Sequence, residues 1–134
     1  MSFRFNDFME NYAGEIGGQF SEYDKSKSVI IVPLKDTRYQ AVLGLMKFND
    51  QFNKTSIEFS SKVCPASDDI DFRRLTMENA RTCYAKFVLV DDYIKVEGCA
   101  FLESIQEEGL KDIIQEVAQT ADKWEFKMTG LDVN

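Results

Sequence analysis

The chain has 134 residues, the size of one domain, and 44% of them are hydrophobic, enough to bury a core without metal or disulfide staples. Sixteen basic against 23 acidic residues give a formal net charge of −7, which disfavours nucleic acid and anionic membranes as partners. The absence of histidine excludes Ser-His and Cys-His catalytic sites built from this chain alone, and removes the commonest zinc and copper ligand. We therefore predict one domain over residues 1–134 with no metal, no cofactor, no nucleic-acid partner and no membrane partner.

No stretch of the sequence is typical of membrane insertion or export. The longest wholly apolar stretches, VIIV and FVLV, are far too short to span a bilayer. The segment MSFRF leads into a polar, amphipathic stretch and lacks the apolar core of a signal peptide. These features predict a cytoplasmic protein. The odd number of cysteines, three, then makes a disulfide framework improbable.

The first element in chain order is a helix over residues 5–16, where apolar side chains recur at helical spacing. Gly17 and Gly18 end it, and the polar stretch SEYDKSKS is predicted as a loop. Two strands, SVIIVPL and RYQAVLGLMKF, then form a hairpin. The stretch NKTSIEFSSKV alternates between apolar and polar residues, which predicts a third strand with one solvent-exposed face.

The second half of the chain supplies two further helices around a second hairpin. A short helix is predicted at roughly residues 69–79. The aspartates of SDDIDF are predicted to cap the start of this helix and not to bind calcium. The last helix is predicted from Ser104, which has the capping-box spacing to Glu107, to Trp124. The tail EFKMTGLDVN is predicted as a short extended piece or a frayed end. The order α-β-β-β-α-β-β-α indicates an α+β domain, a mainly antiparallel sheet with both terminal helices packed on one face.

The hairpin CYAKFVLVDDYIKVEGCAF, residues 83–101, has a register that its side chains specify. With Asp91 and Asp92 at the tip, Val90 pairs with Tyr93, and one face of the hairpin becomes wholly small or apolar. The other face carries a predicted cross-strand ion pair between Lys86 and Glu97.

This register places Cys83 and Cys99 on opposite faces of the hairpin, so we predict no disulfide between them. Cys83 is predicted to be a core residue, and Cys99 is assigned to packing with less support. Cys64, next to a proline at the end of a strand, is predicted to be the most exposed thiol.

The polar face of this hairpin is the predicted partner-binding surface. Tyr84, Val88, Val90 and Tyr93 are apolar or amphipathic, and they are interleaved with charged side chains. Such a mixture suits either partial cover by the short helix or contact with another chain. The same alternatives apply to the apolar pair Val29 and Ile31, if they share that face.

The stretch LTMENARTCYAKFVLVDDYIKVEGCAFLESIQEEGLKDIIQEVAQTADKW, residues 75–124, resembles the YbjN domain and, more broadly, the type III secretion chaperone-like family. The shared pattern is a short helix, a polar segment containing Asn, a hairpin and a capped helix. The rest of the chain resembles the family only in the order of its elements. The resemblance implies a non-enzymatic, often dimeric protein, chaperone-like or regulatory, that binds another polypeptide. It supplies no catalytic residues.

Three functions follow from these observations. The first is a protein-interaction domain that binds a protein partner, or a second copy of itself in a homodimer, through its sheet surface. The second is a small-molecule-binding protein or a carboxylate-based enzyme with a pocket between the sheet and the last helix. The third is a structural subunit with a large permanent apolar interface.

Overall fold

The computed structural model describes residues 3–129, and it has three helices and six strands in this part of the chain. The α+β architecture predicted from the sequence is confirmed, with one strand more than expected. In chain order the elements are α1 (Phe5–Glu15), β1 (Gln19–Asp24), β2 (Lys27–Pro33), β3 (Tyr39–Asn49), β4 (Lys54–Pro65), α2 (Phe72–Glu78), β5 (Lys86–Val90), β6 (Tyr93–Phe101) and α3 (Glu107–Thr129).

The strands form one antiparallel sheet in the order β1-β2-β3-β4-β6-β5. Each strand lies beside its neighbour in sequence except where α2 interrupts the chain. After α2 the chain returns at the edge as β5, and β6 then inserts between β5 and β4. The two edges of the sheet are therefore β1 and β5.

The helices α1 and α3 pack side by side on one face of the sheet, as predicted. Helix α1 lies on β1 and β2 and reaches β3 at Gly44, and α3 lies on β3, β4 and β6. A row of paired residues, Gly44, Phe59 and Gly98, shows how closely they approach. A Cβ atom at Gly44 would lie 2.6 Å from Cε of Met9 in α1, and one at Gly98 would lie 2.8 Å from Cγ2 of Ile113 in α3. The two glycines thus make room for the helices on either side of the buried Phe59 ring.

Strand β1 is not predicted from the sequence, and its residues from Ser21 onward occupy the stretch that the sequence predicts as a loop. It pairs with β2 from Gln19 opposite Ile31 to Asp24 opposite Lys27. Five of its six residues are exposed, and only Phe20 packs against the core. An edge strand with one solvated side needs few apolar residues, so hydrophobic alternation does not reveal it.

The boundaries of α2 and α3 also differ from the prediction. An aspartate does cap α2, because the Asp71 carboxylate accepts the Arg74 N–H at 3.0 Å, but the helix starts at Phe72 rather than near residue 69. Helix α3 starts at Glu107, and Ser104 lies in a preceding turn of 3₁₀ helix instead of at the cap.

At its other end α3 runs on to Thr129, through residues predicted as extended or frayed. Trp124 and the fully buried Glu125 continue its inward-facing stripe, which explains the extra turn. The Trp124 ring meets the ring of Phe87 in β5 edge to face at 5.5 Å. The remainder of the predicted tail, residues 130–134, lies outside the described residues.

Candidate interaction surface

The face of the sheet opposite α1 and α3, here called the outer face, is built from every second residue of each strand. Paired residues share a face, so the row Val29, Leu43, Ser60 and Glu97 points away from the row that contains the buried Phe59. These four side chains are all half-buried. The outer face is therefore the side of the sheet that α1 and α3 leave open.

Two apolar patches lie on the outer face. The central patch, on β2 and β3, consists of Val29, Ile31, Ala41 and Leu43, and it lines an open depression of about 520 Å³. The hairpin patch, on β5 and β6, consists of Val88, Val90 and Tyr93. All seven side chains are half-buried. From the sequence, Val29 and Ile31 belong to the candidate surface only if they share a face with the hairpin residues. They do share it, because they lie on the outer face together with the hairpin patch.

The register of the last hairpin agrees with the prediction over the five pairs of β5 with β6, whereas residues 83–85, which the sequence includes in the hairpin, precede β5 and do not pair. Val90 lies opposite Tyr93, Leu89 opposite Ile94 and Phe87 opposite Val96. Asp91 and Asp92 form the two-residue turn with φ angles of 52° and 60°, the left-handed geometry of a type I′ hairpin.

Of the four predicted partner-binding residues, Tyr84 is the one that lies outside the hairpin strands. It precedes β5 in a bend, is half-buried, and packs against the core rather than beside the hairpin patch. The cause is Glu116 of α3, whose carboxylate accepts the backbone N–H groups of Cys83, Tyr84 and Ala85 at 2.9, 2.6 and 2.8 Å. This pulls the chain out of the strand and leaves Cys83 exposed, so the prediction that Cys83 is a core residue is wrong.

The environment of Glu116 lowers the pKa of its carboxyl group. Partial burial acts in the opposite direction, to raise the pKa, but the three N–H donors and the positive charge of Lys86 outweigh it. The carboxylate form is therefore the one that holds this loop.

The predicted ion pair between Lys86 and Glu97 does not form, although the two residues are cross-strand partners. Lys86 Nζ instead donates to the carbonyls of Asn79 and Thr82, both at 2.8 Å, on the loop that follows α2. The pKa of Glu97 is raised by burial and by the neighbouring carboxylate of Glu58. The lysine ammonium group has three donors, and here it donates to two loop carbonyls at once instead of pairing with the single carboxylate of Glu97.

Asn79 also covers part of the free edge of β5, the edge that is not paired with β6. Its Oδ1 accepts the Phe87 N–H at 2.7 Å, and its Nδ2 donates to the Phe87 carbonyl at 3.4 Å. A side-chain amide thus pairs with the main chain as a neighbouring strand would. At Phe87 this edge is closed to a partner strand.

The cysteines are free thiols, but none of the three is where the sequence predicts, because Cys83 and Cys99 are exposed and Cys64 is buried. Cys64 is buried rather than the most exposed, and its Sγ lies 3.5 Å from Sδ of Met128. A bulge in β4 between Lys62 and Cys64 breaks the alternation and explains this. Burial, with the charge of Glu125, raises the pKa of Cys64, which favours the less reactive thiol. Cys99 is exposed on the outer face.

Lysines surround the central patch, and the register brings them together. Lys62 and Lys95 lie directly opposite each other on β4 and β6, and Lys27 lies at the other end of the patch on β2. Among residues 3–129 these three, here called the lysine rim, form no salt bridge, whereas Lys47 nearby binds Glu58 at 2.6 Å. The sequence could not predict this cluster because the pairing of β4 with β6 is a long-range contact.

Five basic residues converge on a separate open depression between α2 and α3, on the other side of the molecule. The sequence places two of them, Arg73 and Arg74, in a locally neutral or acidic stretch. The fold adds three more cations to that locality, and the depression of about 450 Å³ is lined by Asp71, Arg73, Arg74, Met77, Glu78, Arg81, Lys123 and Lys127.

The layer between the sheet and α3 is filled with apolar side chains. Four side chains of α3 are fully buried in this layer: Ile113, Ile114, Val117 and Ala118. Within residues 3–129 no three His, Cys, Asp or Glu side chains are grouped so as to hold a metal ion. Across the same residues, none of the helices has the length and apolar character needed to cross a membrane.

Compared with known proteins, the sequence matches no protein-family model and no curated protein.

Proposed function

We propose that the chain is a non-catalytic, cytoplasmic protein-interaction domain, of the YbjN or secretion chaperone-like kind that its second half resembles. It binds a polypeptide partner, or a second copy of itself, through the outer face of its sheet. The observation that carries this proposal is the pair of half-buried apolar patches on the face that α1 and α3 leave open. An apolar sheet face is normally covered by a second layer, and here the partner supplies that layer.

The apolar side chains of the outer face supply the binding energy. Complete burial of a Val or Leu side chain contributes about 1.5–3 kcal/mol. The central patch and the hairpin patch hold seven half-buried side chains between them. Covering both therefore gives a favourable term that can offset the entropy lost on association.

The edges of the sheet are less suited to partner binding than the outer face. Asn79 pairs with the main chain of β5 at Phe87. At the opposite edge β1 carries Glu22 and Asp24, charges that oppose strand addition. These features favour docking on the outer face over extension of the sheet.

The packing between the sheet and α3 favours the interaction domain over the alternative, a ligand pocket in that layer. A pocket there would need space beneath α3, where the Cβ position of Gly98 is already 2.8 Å from Ile113. Carboxylates of α3 that point toward the sheet are engaged in structural contacts, as Asp122 is with Arg38 Nε at 3.0 Å.

The test is to place a charge in each patch and to measure peptide binding. Leu43→Lys in the central patch and Val88→Lys in the hairpin patch should each weaken binding of peptides selected from a displayed random library, by about tenfold or more. Phe48→Lys is the matched control, because Phe48 is an apolar residue of β3, 57% exposed, whose parity places it on the opposite side of the strand from Leu43. Thermal unfolding and light scattering establish that each variant is folded and report its self-association.

The proposal fails if no peptide is selected and wild-type protein stays monomeric, or if Phe48→Lys reduces binding as much as the two patch variants do.

A further inference from the structure

We propose that the partner presents an acidic amphipathic α-helix, which lies across the central patch with its carboxylates against the lysine rim. This inference rests on the proposed function and names the chemistry of the segment that binds. Three observations carry it: the charge of the rim, the aliphatic floor, and the distance between the two ends of the rim.

The rim concentrates positive charge in a chain whose net charge is −7. Lys62 and Lys95 face each other across adjacent strands, and like charges directly opposite each other destabilise a sheet. Lys62 lies over the ring of Tyr93, with Nζ 5.5 Å from its centroid, and Lys27 lies over Tyr23 at 5.8 Å. These contacts hold the ammonium groups of Lys62 and Lys27 at the surface but do not neutralise them, and the positive charge of Lys95 acts on Glu97 of its own strand without forming a salt bridge with it. A carboxylate placed between Lys62 and Lys95 would relieve their repulsion.

The central patch, which forms the floor between the lysines, is better suited to an apolar side chain of a peptide than to a nucleic-acid base. Val29, Ile31, Ala41 and Leu43 are aliphatic, and they offer no aromatic surface on which nucleic-acid bases stack. Two aromatic rings lie at the margin of the patches, Tyr23 beside the depression and Tyr93 in the hairpin patch, and they lie under Lys27 and Lys62. The chemistry therefore favours a polypeptide that alternates apolar and acidic groups over a nucleic acid.

A helix fits this floor better than an extended segment does. The backbone N–H and C=O groups of a strand laid flat on the sheet would lose their hydrogen bonds to water and gain none from the sheet. A helix makes its backbone hydrogen bonds internally and avoids this loss. The central patch is also in the middle of the sheet, where β2 and β3 have both edges paired. A partner therefore cannot add a strand to the sheet at this position.

The register fixes the spacing of the acidic residues. Lys27 pairs with Leu45, which pairs with Glu58, and Glu58 is four residues from Lys62 on β4. Four residues of strand span about 13 Å and two strand spacings about 10 Å, so the two lysines are about 16 Å apart at the backbone. Leu43 lies midway between them on β3. A helix that follows this diagonal would place its acidic residues about eleven residues apart, with an apolar side chain over Leu43.

The experiment uses a displayed library of amphipathic helical peptides whose positions flanking the apolar stripe are randomised among Glu, Gln and Lys. Wild-type protein should select Glu at two positions about eleven residues apart. The double variant Lys27→Glu, Lys62→Glu should select Lys there instead. A soluble peptide selected by the wild type should lose about tenfold or more in affinity for this variant in fluorescence anisotropy. The matched control, Lys123→Glu with Lys127→Glu on α3, should bind that peptide as the wild type does.

The outcomes separate this inference from the proposed function. If helical peptides bind without preference for charge, or if only extended peptides bind, the inference is overturned and the interaction domain stands. If no peptide of any kind binds, the inference is overturned, and the proposed function is overturned with it when the wild-type protein also stays monomeric. Binding of a single-stranded oligonucleotide in place of peptides, abolished by Lys27→Glu with Lys62→Glu, would assign the rim to nucleic acid and overturn the inference.

Discussion

At the scale of single residues, the side chain of Glu116 determines how the chain enters the second hairpin. Three consecutive N–H groups, from Cys83 to Ala85, donate to one carboxylate, and without it they would have to find other acceptors. The contact explains why Tyr84 leaves the hairpin face and why Cys83 is exposed. It joins residues more than thirty positions apart, which places it beyond local sequence patterns.

Replacing Glu116 with Gln should therefore destabilise the fold. The amide keeps one oxygen acceptor but loses the charge, and hydrogen bonds to charged groups are worth about 1.5–3 kcal/mol, so we expect a loss of about 1–2 kcal/mol. Chemical denaturation measures it. Glu108→Gln on the same helix is the control, because the Glu108 side chain is 83% exposed and its ion pair with Lys111 contributes little. Equal midpoints for the two variants would contradict the prediction.

The same carboxylate gives a predicted pH dependence. The pKa of Glu116 is lower in the folded protein than in the unfolded chain, so its contribution is fully present above the unfolded value of about 4.3. It is lost as the pH falls through the folded pKa. The difference in free energy of unfolding between wild type and Glu116→Gln should hence be constant near neutral pH and shrink in acid. A difference that grows on acidification would show that another group is responsible.

At the scale of the elements, the loop after α2 protects the edge of the sheet. Asn79 binds the main chain of Phe87 through both ends of its amide, and the carbonyls of Asn79 and Thr82 hold Lys86. Strand β5 has only five residues, and the loop shields part of its free edge. A short, covered edge is a common protection against unwanted strand pairing.

Asn79→Ala should expose this edge. The Phe87 N–H and carbonyl would lose their partners, so we expect a loss of about 1–3 kcal/mol together with concentration-dependent self-association. Denaturation and light scattering measure the two effects. Asn79→Asp keeps the acceptor for the Phe87 N–H and should show the smaller change of the two. If the alanine variant remains as stable and as monodisperse as wild type, Asn79 does not protect the edge.

The close approach of α1 to β3 gives a second prediction at this scale. Gly44→Ala would bring a methyl group within 2.8 Å of both Met9 and Phe5, and overpacking of this kind costs about 1–3 kcal/mol. Gly14→Ala is the matched control, because a Cβ at this position in α1 meets no atom within 4 Å. It should leave stability unchanged or raise it by up to about 1 kcal/mol, the difference in helix propensity. The prediction fails if the two alanine variants have the same melting temperature.

At the scale of the whole molecule, the sequence predicts what depends on local periodicity and misses what depends on distant contacts. The alternation of residues 86–101 and the turn at Asp91 and Asp92 specify the hairpin register, and the structure agrees with it. Strand β1 escapes prediction because its exposed edge needs no apolar pattern. The placement of Cys64 depends on a bulge, and that of Cys83 on Glu116.

The same distinction applies to the outer face. Val88, Val90 and Tyr93 can be assigned to it from the hairpin alone. The larger central patch and the lysine rim exist only once β2, β3, β4 and β6 are aligned side by side. Two of the rim lysines lie more than thirty residues apart in sequence yet face each other in the sheet.

The chain contains a single tryptophan, and its location provides an internal optical probe. Trp124 is nearly inaccessible to solvent, and its ring touches Phe87 and lies beneath the cations of Arg74 and Lys127. Its emission will therefore report the assembly of α2, β5 and α3 while remaining insensitive to a molecule that occupies the opposite side of the sheet. Loss of structure and loss of binding can consequently be followed as two separate signals in one unlabelled sample.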